Sequence, residues 1–253
     1  MVTTTALLAD LVKNVGGDWV EVGWIVPPGA DVHSFQTTPE DSIAINRARV
    51  IVSNGFGLDA SLAPVLRSAR STSAVNVIAA DGLAGDDPHF WHDPEFAIHY
   101  VERIRDGLAI ADPDHGPDYQ ANAETYMDQL RKLDQEITLI LSQVPPHLRN
   151  LVTYHDAFNH FARHYGWRVS AFVSSDADEV SPAAVVQVLE RVSKDLLPAV
   201  FIEPEVRSDV ILRAAKDAGV AVGTIYAEVS GAGVTSYIEM MRFNAQSLAE
   251  LLR

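Results

Sequence analysis

The sequence predicts an α/β protein built on parallel sheets. Short apolar strands alternate with helical stretches over residues 2–108, and the same alternation restarts at residue 150. Short links between alternating strands and helices favour parallel pairing, because parallel strands need a crossover helix between them. Between the two series, residues 118–144 carry one continuous apolar stripe at helical spacing. A helix of that length either ties two lobes together or forms the core of one large domain.

The net charge and the absence of cysteine exclude several classes of function for this chain. The chain has 253 residues, enough for one large domain or two small ones, and its net charge of −15 argues against binding nucleic acid, which needs clustered Lys and Arg. No cysteine is present, so disulfides, thiolate metal sites and cysteine nucleophiles are excluded. Any transition metal must therefore be bound by His, Asp or Glu. The chain shows no signal peptide and opens almost directly in an apparent strand, so we expect that a leader has been removed.

The elements of the first series are predicted from the spacing of apolar residues and from Gly and Pro residues, which mark the ends of helices and strands. A Gly-Gly pair ends the first helix, and Thr38 followed by Pro39 is typical of a helix N-terminus. The expected elements are a strand within residues 2–5, a helix over 5–15, a buried strand over 20–26, a helix over 39–48, a strand over 50–52, a helix over 58–68, a strand over 74–78 and a helix over 94–108.

The second series repeats this pattern after Pro145 and Pro146 end the long helix. The expected elements are a strand over residues 150–154, a helix up to 165, a strand over 169–173, an acidic loop over 176–179, a helix capped by Ser181, a strand over 199–203, a helix over 206–218, a strand over 221–226 and a final amphipathic helix from 235 or 236.

Two loops of the first half present histidines. His33 follows a strand and a Pro-Pro-Gly turn and precedes a helix, which is where open α/β sheets bind ligands. In the loop 85–94, two Asp-Pro pairs bracket His89 and His92, and proline stiffens such a loop. The loop therefore either presents imidazole beside carboxylates as a metal site, or is anchored by its Phe and Trp with both histidines solvated.

The second half offers matching residues. His155 stands where a strand meets a helix, and Glu228 follows the strand at 221–226. Three imidazoles (those of His33, His89 and His155) with one carboxylate would suit Zn²⁺, whereas Mn²⁺ prefers more oxygen ligands. No diagnostic local spacing such as His-Glu-x-x-His is present, so the pattern is suggestive only.

Several other residues compete for these roles or would support the ligands, among them Asp156, which directly follows His155. His92 is an alternative or an aid to His89, and Glu203 at a strand end is either an acceptor for an imidazole N–H or a structural carboxylate. His160 and His164 are four apart on one helix face, a spacing that can bind metal, but solvated surface residues are the favoured interpretation. The other three histidines are expected at the surface or at helix ends: His99, His115 and His147.

A set of segments in order along the chain resembles the zinc- and manganese-binding solute-binding proteins of bacterial ABC importers, the cluster A-I or adhesion-type metal-binding lipoproteins. The segments are VPPGADVH at 26–33, NGFGL at 54–58, DPHFWHDP at 87–94, HDAF at 155–158, FIEP at 201–204 and YIEMMRFN at 237–244. The resemblance covers nearly the whole chain, and the ordered set is far more specific than any one segment.

The resemblance implies two α/β lobes, each a mostly parallel sheet flanked by helices, joined by a single long helix. We expect an N-terminal lobe over 1–116, the linking helix over 117–146 and a C-terminal lobe over 147–253. His33, His89 and His155 would be metal ligands, and Glu228 would be the fourth, where the family usually has Asp. Histidine at the position of His155 is typical of zinc-type members, whereas manganese-type members tend to have Glu.

The expected function is therefore that of a non-enzymatic receptor that captures Zn²⁺ outside the cytoplasm and delivers it to a membrane permease. We expect a monomer, either periplasmic or anchored to the outer face of the membrane. The alternatives are an Mn²⁺ receptor of the same family, a metal-chelate receptor, and a zinc hydrolase in which Asp156 or Glu203 would be the general base.

Overall fold

The computed structural model describes residues 1–173, 182–204, 209–231 and 233–253. The chain divides into two compact units. The first comprises Met1–Lys132 and Glu228–Tyr237, and the second comprises Leu133–Ala227 and Ile238–Arg253. The lobe boundaries expected from the sequence stay predictions. Among the described residues, no helix combines the length and the apolarity needed to cross a membrane.

The first unit contains a four-stranded parallel sheet in the order β2-β1-β3-β4, as the alternation of elements predicts. Helices follow the strands along the chain, so the α/β class is confirmed. The elements are β1 (Val2–Thr3), α1 (Ala6–Gly16), β2 (Gly23–Trp24), α2 (Pro39–Arg47), β3 (Val50–Ser53), α3 (Ala63–Ala69), β4 (Val75–Ile78) and α4 (Pro94–Ala111).

The buried strand predicted over 20–26 is wrong in extent and in burial. Only Gly23–Trp24 forms β2, and both residues are exposed, although Ile25 and Val26 beyond it are buried. The physical reason is the position of β2 at the edge of the sheet that the described residues form, where it pairs with the two-residue strand β1. An edge position leaves side chains such as Trp24 open to solvent.

The helix predicted over 58–68 begins only at Ala63. Before it, Gly55, Phe56 and Gly57 all have positive φ values, of 89°, 52° and 85°. Residues 58–62 form turns closed by i→i+3 backbone hydrogen bonds, such as that from the Leu58 N–H to the Gly55 carbonyl, so the helix starts later. The helix then starts where Pro64 falls within its first turn, where proline is tolerated.

The helix α5 (Gly116–Ser142) begins in the first unit and ends in the second, and its 27 residues match the predicted long helix. The second unit has two parallel strand pairs, β5 with β6 and β7 with β8, and β5 also lies beside β7. Its further elements are β5 (Asn150–His155), α6 (Asn159–Tyr165), β6 (Arg168–Val173), α7 (Pro182–Lys194), β7 (Ala199–Ile202), α8 (Asp209–Asp217), β8 (Ala221–Thr224) and α9 (Tyr237–Leu251).

Three predicted features fall outside the described residues: the acidic loop 176–179, the Ser181 cap and the start of the helix at 206. The core of the second unit is formed by apolar side chains from its strands and helices, among them Val152, Phe172, Val200 and Ile211. This packing fixes the carboxyl ends of β5 and β7, where His155 and Glu203 stand.

Candidate metal centre

In the first unit, the loop that carries His33 is fixed by Asp31 and Ser61. Asp31 Oδ1 accepts a hydrogen bond from the His33 backbone N–H at 2.9 Å, and Asp31 Oδ2 accepts from Ser34 Oγ at 2.6 Å. The Ser61 hydroxyl donates to the carbonyl of Val32 at 2.7 Å. An aspartate that bonds the backbone two residues on forms a local turn. The imidazole of His33 is therefore presented, half-buried, from a defined backbone.

His89 is almost completely buried, with 2% of its surface exposed. Asp87 Oδ1 lies 2.7 Å from His89 Nδ1 and accepts the His89 backbone N–H at 3.0 Å. A carboxylate at Nδ1 favours the tautomer with the proton on Nδ1, which places the lone pair on Nε2. Nε2 is then the atom of His89 that suits a metal.

The His89 loop combines features of both interpretations drawn from the sequence. Phe90 and Trp91 are buried and anchor the loop, as expected, but His89 and His92 are buried too and not solvated. The ring centroids of His33 and His89 lie 5.5 Å apart, and a ring nitrogen of one lies within 4.8 Å of a ring nitrogen of the other. Two imidazoles at that separation can bind one ion after small side-chain rotations.

In the second unit, His155 has a partner of the same kind. Its Nδ1 lies 3.1 Å from Oε1 of Glu203, whose side chain is 1% exposed. His155 ends β5 and Glu203 follows β7, and these two strands lie side by side. This contact is what the acceptor role offered for Glu203 requires, and that role stays a prediction.

Glu228 belongs to the first unit, and its Oε2 accepts the backbone N–H of Leu7 at 3.3 Å. Leu7 lies in the first turn of α1, where the helix dipole favours a negative charge. Asp156 accepts from Asn159 Nδ2 at 2.8 Å, near the start of α6. The ligand role expected for Glu228 stays a prediction, as do those of His92 and Asp156.

The interpretation of His160 and His164 as solvated residues is wrong. His160 is 2% exposed, and His164 Nε2 lies 2.8 Å from Asp134 Oδ1 on α5. The apolar side of α6 is packed, so a histidine on that side is buried, and its neighbour one turn on reaches a carboxylate. Near the surface, His99 Nε2 lies 2.8 Å from the backbone carbonyl oxygen of Asp81, and His115 Nδ1 lies 2.8 Å from Oδ2 of Asp112.

Asp87 was missed in the sequence. The signal was present, because a carboxylate two residues before a histidine can reach both its backbone N–H and its ring. From the sequence, Asp87 is interpreted only as part of an Asp-Pro pair that stiffens the loop, and not as a partner of His89. Glu203 lies 48 residues from His155, and the sequence indicates only that Glu203 stands at a strand end. Its contact with His155 depends on how the strands are arranged in the fold.

Comparisons with known proteins identify relatives of this chain. The family model described as the zinc-uptake complex component A, periplasmic, matches residues 1–251. The chain is 31% identical to the manganese-binding lipoprotein MntA of Halalkalibacterium halodurans, over 98% of this chain and 86% of that protein. It is 28% identical to the iron-binding protein YfeA of Yersinia pestis, over 99% and 85%.

The fold is also similar to a solved structure, the periplasmic zinc binding protein TroA from Treponema pallidum. The TM-score is 0.91, the sequence identity is 26%, and the match covers 99% of this chain and 98% of that one. The three relatives are thus named for manganese, iron and zinc.

Proposed function

This chain belongs to the family of periplasmic zinc-uptake components, the solute-binding receptors of ABC metal importers, and we propose that its cargo is Zn²⁺, bound by His33, His89 and His155. It is a binding receptor for metal ions and not an enzyme. The zinc hydrolase considered from the sequence is therefore set aside.

One observation supports the choice of His89 and His155: each has a largely buried carboxylate at Nδ1, whereas the carboxylate at Nδ1 of His115 is 30% exposed. Asp87 lies against His89 and Glu203 against His155, at 2.7 and 3.1 Å. Histidines that bind metals usually donate their other ring N–H to such an acceptor, which orients the ring and makes the ligating nitrogen more basic. Both imidazoles are thereby prepared to bind a cation through Nε2.

The identity of the metal rests on the chemistry of the ligands. Imidazole nitrogen suits Zn²⁺, whereas a site for Mn²⁺ is usually richer in oxygen. We propose Glu228 as the fourth ligand, since the family usually has Asp there. The names of the relatives support Mn²⁺ as well as Zn²⁺, so the Mn²⁺ receptor is the second candidate.

The cargo is proposed to be delivered outside the cytoplasm to a membrane permease, by a monomer. Relatives named as lipoproteins and as periplasmic proteins support this location.

The test is competitive loading of protein that has been stripped by a chelator. Wild type, His155→Ala and the control His147→Ala, which changes an exposed histidine, are offered equal Zn²⁺ and Mn²⁺ and analysed for bound metal. We expect one Zn²⁺ per chain in the wild type and the control. In His155→Ala the affinity should fall by more than the roughly 10–100-fold that losing an outer hydrogen bond costs.

Two results would overturn parts of the proposal. Retention of Mn²⁺ over Zn²⁺ would leave the receptor and replace its cargo. Equal zinc affinity in His155→Ala and wild type would remove His155 from the site.

A further inference from the structure

The backbone next to His89 is held by a buried side chain from another part of the first unit. Asn54, which is 1% exposed and follows β3, donates from Nδ2 to the carbonyl of Pro88 at 3.0 Å. The same nitrogen donates to the carbonyl of Gly55 at 3.1 Å. Pro88 immediately precedes His89, so this amide fixes the peptide group from which the imidazole extends.

The orientation of the Asn54 amide is determined by its neighbours. Both carbonyls next to Nδ2 can only accept a hydrogen bond, so the nitrogen and not the oxygen must face them. The Asn54 oxygen in turn accepts the hydroxyl of Tyr100, on α4, at 2.6 Å. Tyr100 is completely buried, and desolvation raises the pKa of its hydroxyl well above 10, so it remains a donor at every physiological pH.

We propose that Tyr100 and Asn54 are positioning residues for the metal ligand His89: Tyr100 fixes the amide of Asn54, and Asn54 fixes the carbonyl of Pro88. This inference rests on the proposed ligand role of His89. The pair differs from Asp87, which acts on the imidazole itself, because it acts on the backbone that carries the ring. A ligand held in its binding geometry before the ion arrives loses less freedom on binding, so the pair raises metal affinity.

The two links of the chain can be broken separately. Tyr100→Phe removes only the hydroxyl and leaves the Asn54 amide without the bond that fixes its orientation. Asn54→Asp is isosteric and keeps an acceptor for Tyr100, but it replaces the donor to Pro88 by an oxygen. Because both changes act through one path, their effects on metal affinity should be less than additive in the double variant.

The matched control is Tyr119→Phe. Tyr119 is also buried in the first unit, and its hydroxyl also donates a hydrogen bond, at 2.8 Å, to Asp112, which follows α4 and is not part of the His89 loop. Each Tyr→Phe change should lower thermal stability, since each removes one hydrogen bond of the hydroxyl. Only Tyr100→Phe should change metal binding.

The experiment measures Zn²⁺ affinity by chelator competition and records the visible spectrum of the Co²⁺-loaded protein, which reports ligand geometry. Tyr100→Phe should bind Zn²⁺ roughly five- to tenfold more weakly than wild type and shift the Co²⁺ bands. Tyr119→Phe should match wild type in both. Circular dichroism of the metal-free proteins shows whether each variant is folded. If Asn54→Asp does not fold, the comparison of Tyr100→Phe with wild type and Tyr119→Phe tests the proposal.

Including His89→Ala separates the two possible failures. If His89→Ala binds Zn²⁺ as wild type does, the proposed ligand set is wrong. If His89→Ala loses zinc while Tyr100→Phe keeps the affinity and the Co²⁺ spectrum of wild type, Tyr100 only stabilises the fold and this inference is wrong.

Discussion

At the scale of single residues, the candidate centre depends on buried carboxylates that accept from imidazoles. Asp87 and His89 are two residues apart on one loop, so their contact is local. Glu203 reaches His155 only because β5 and β7 lie side by side. A buried carboxylate is costly without partners, so Glu203 with 1% exposure is expected to be retained for a role beyond packing.

Glu203 offers a test of that role. Glu203→Gln keeps an acceptor oxygen near His155 but removes the charge, and Glu203→Ala removes both. We expect Zn²⁺ affinity to fall by about tenfold in the first variant and by up to about 100-fold in the second, because the outer partner of a ligating histidine orients it and raises its basicity. Chelator competition measures both, with Glu250→Gln, an exposed change on α9, as the control. An affinity in Glu203→Ala equal to that of the control would show that this carboxylate is only structural.

At the scale of elements, α4 packs against β4 through Gly107. A Cβ atom at Gly107 would lie 2.2 Å from Cγ2 of Val77, which is buried. Alanine is favoured over glycine inside a helix by about 1 kcal/mol, so helix propensity alone predicts that Gly107→Ala stabilises the protein. Overpacking a core costs about 1–3 kcal/mol, and here the clash is with a β-branched side chain fixed in a strand.

We therefore expect Gly107→Ala to lower the free energy of unfolding by about 1–2 kcal/mol, measured by denaturant titration. Val77→Ala removes the clashing methyl groups, so the double variant should be less destabilised than the sum of the two single changes. Strict additivity would mean that the helix and the strand separate to accept the methyl group.

The helices α5 and α9 are joined within the second unit by an ion pair. Arg242 donates two hydrogen bonds to the carboxylate of Glu136, at 2.7 and 2.9 Å. This hydrogen bonding lowers the pKa of Glu136 below its usual value near 4.5. The folded state then binds fewer protons than the unfolded state, so the stabilisation is present above that usual value and is lost as the pH falls through the lowered pKa.

Glu136→Gln should therefore reduce the free energy of unfolding at pH 7 by about 0.5–1 kcal/mol, a small value because both side chains are more than one-third exposed. The difference from wild type should shrink as the pH is lowered from 5 to 3. Urea titrations at these pH values test this, and a difference that persists unchanged at pH 3 would contradict it.

The elements also show which parts of the fold sequence patterns can predict. The long helix α5 and the helix α2, with its capping box between Thr38 and Asp41, depend on local spacing and were predicted closely. The strand β2 and the start of α3 were not, because an edge position and three left-handed residues are set by the surrounding chain. Burial of His160 was missed for the same reason, since it depends on which face of α6 is packed.

At the scale of the whole molecule, the proposed ligands are divided between the two units. His33, His89 and Glu228 belong to the first, and His155 belongs to the second. The proposed ligand histidines were predicted from their positions at strand ends and from the ordered segments that resemble metal-binding solute-binding proteins. The residues that orient them, Asp87, Asn54 and Tyr100, were not, because a contact between side chains leaves no periodic signal in the sequence.

This division predicts how metal binding stabilises the whole chain. A ligand that binds only the folded state stabilises it by about 2.7 kcal/mol when its free concentration is 100 times its Kd, which for a chain of this size is a rise in Tm of roughly 5–10 °C.

If one ion needs ligands from both units, His89→Ala and His155→Ala should each abolish nearly all of the shift in Tm caused by Zn²⁺. Two independent sites would instead leave each variant with about half of it. Thermal melts of the stripped proteins with and without Zn²⁺ distinguish these outcomes, with His147→Ala as the control that should keep the full shift. A shift of about half in both variants would indicate a separate ion for each unit. The receptor would then differ from the one proposed, in which the permease receives one ion held by ligands of both units.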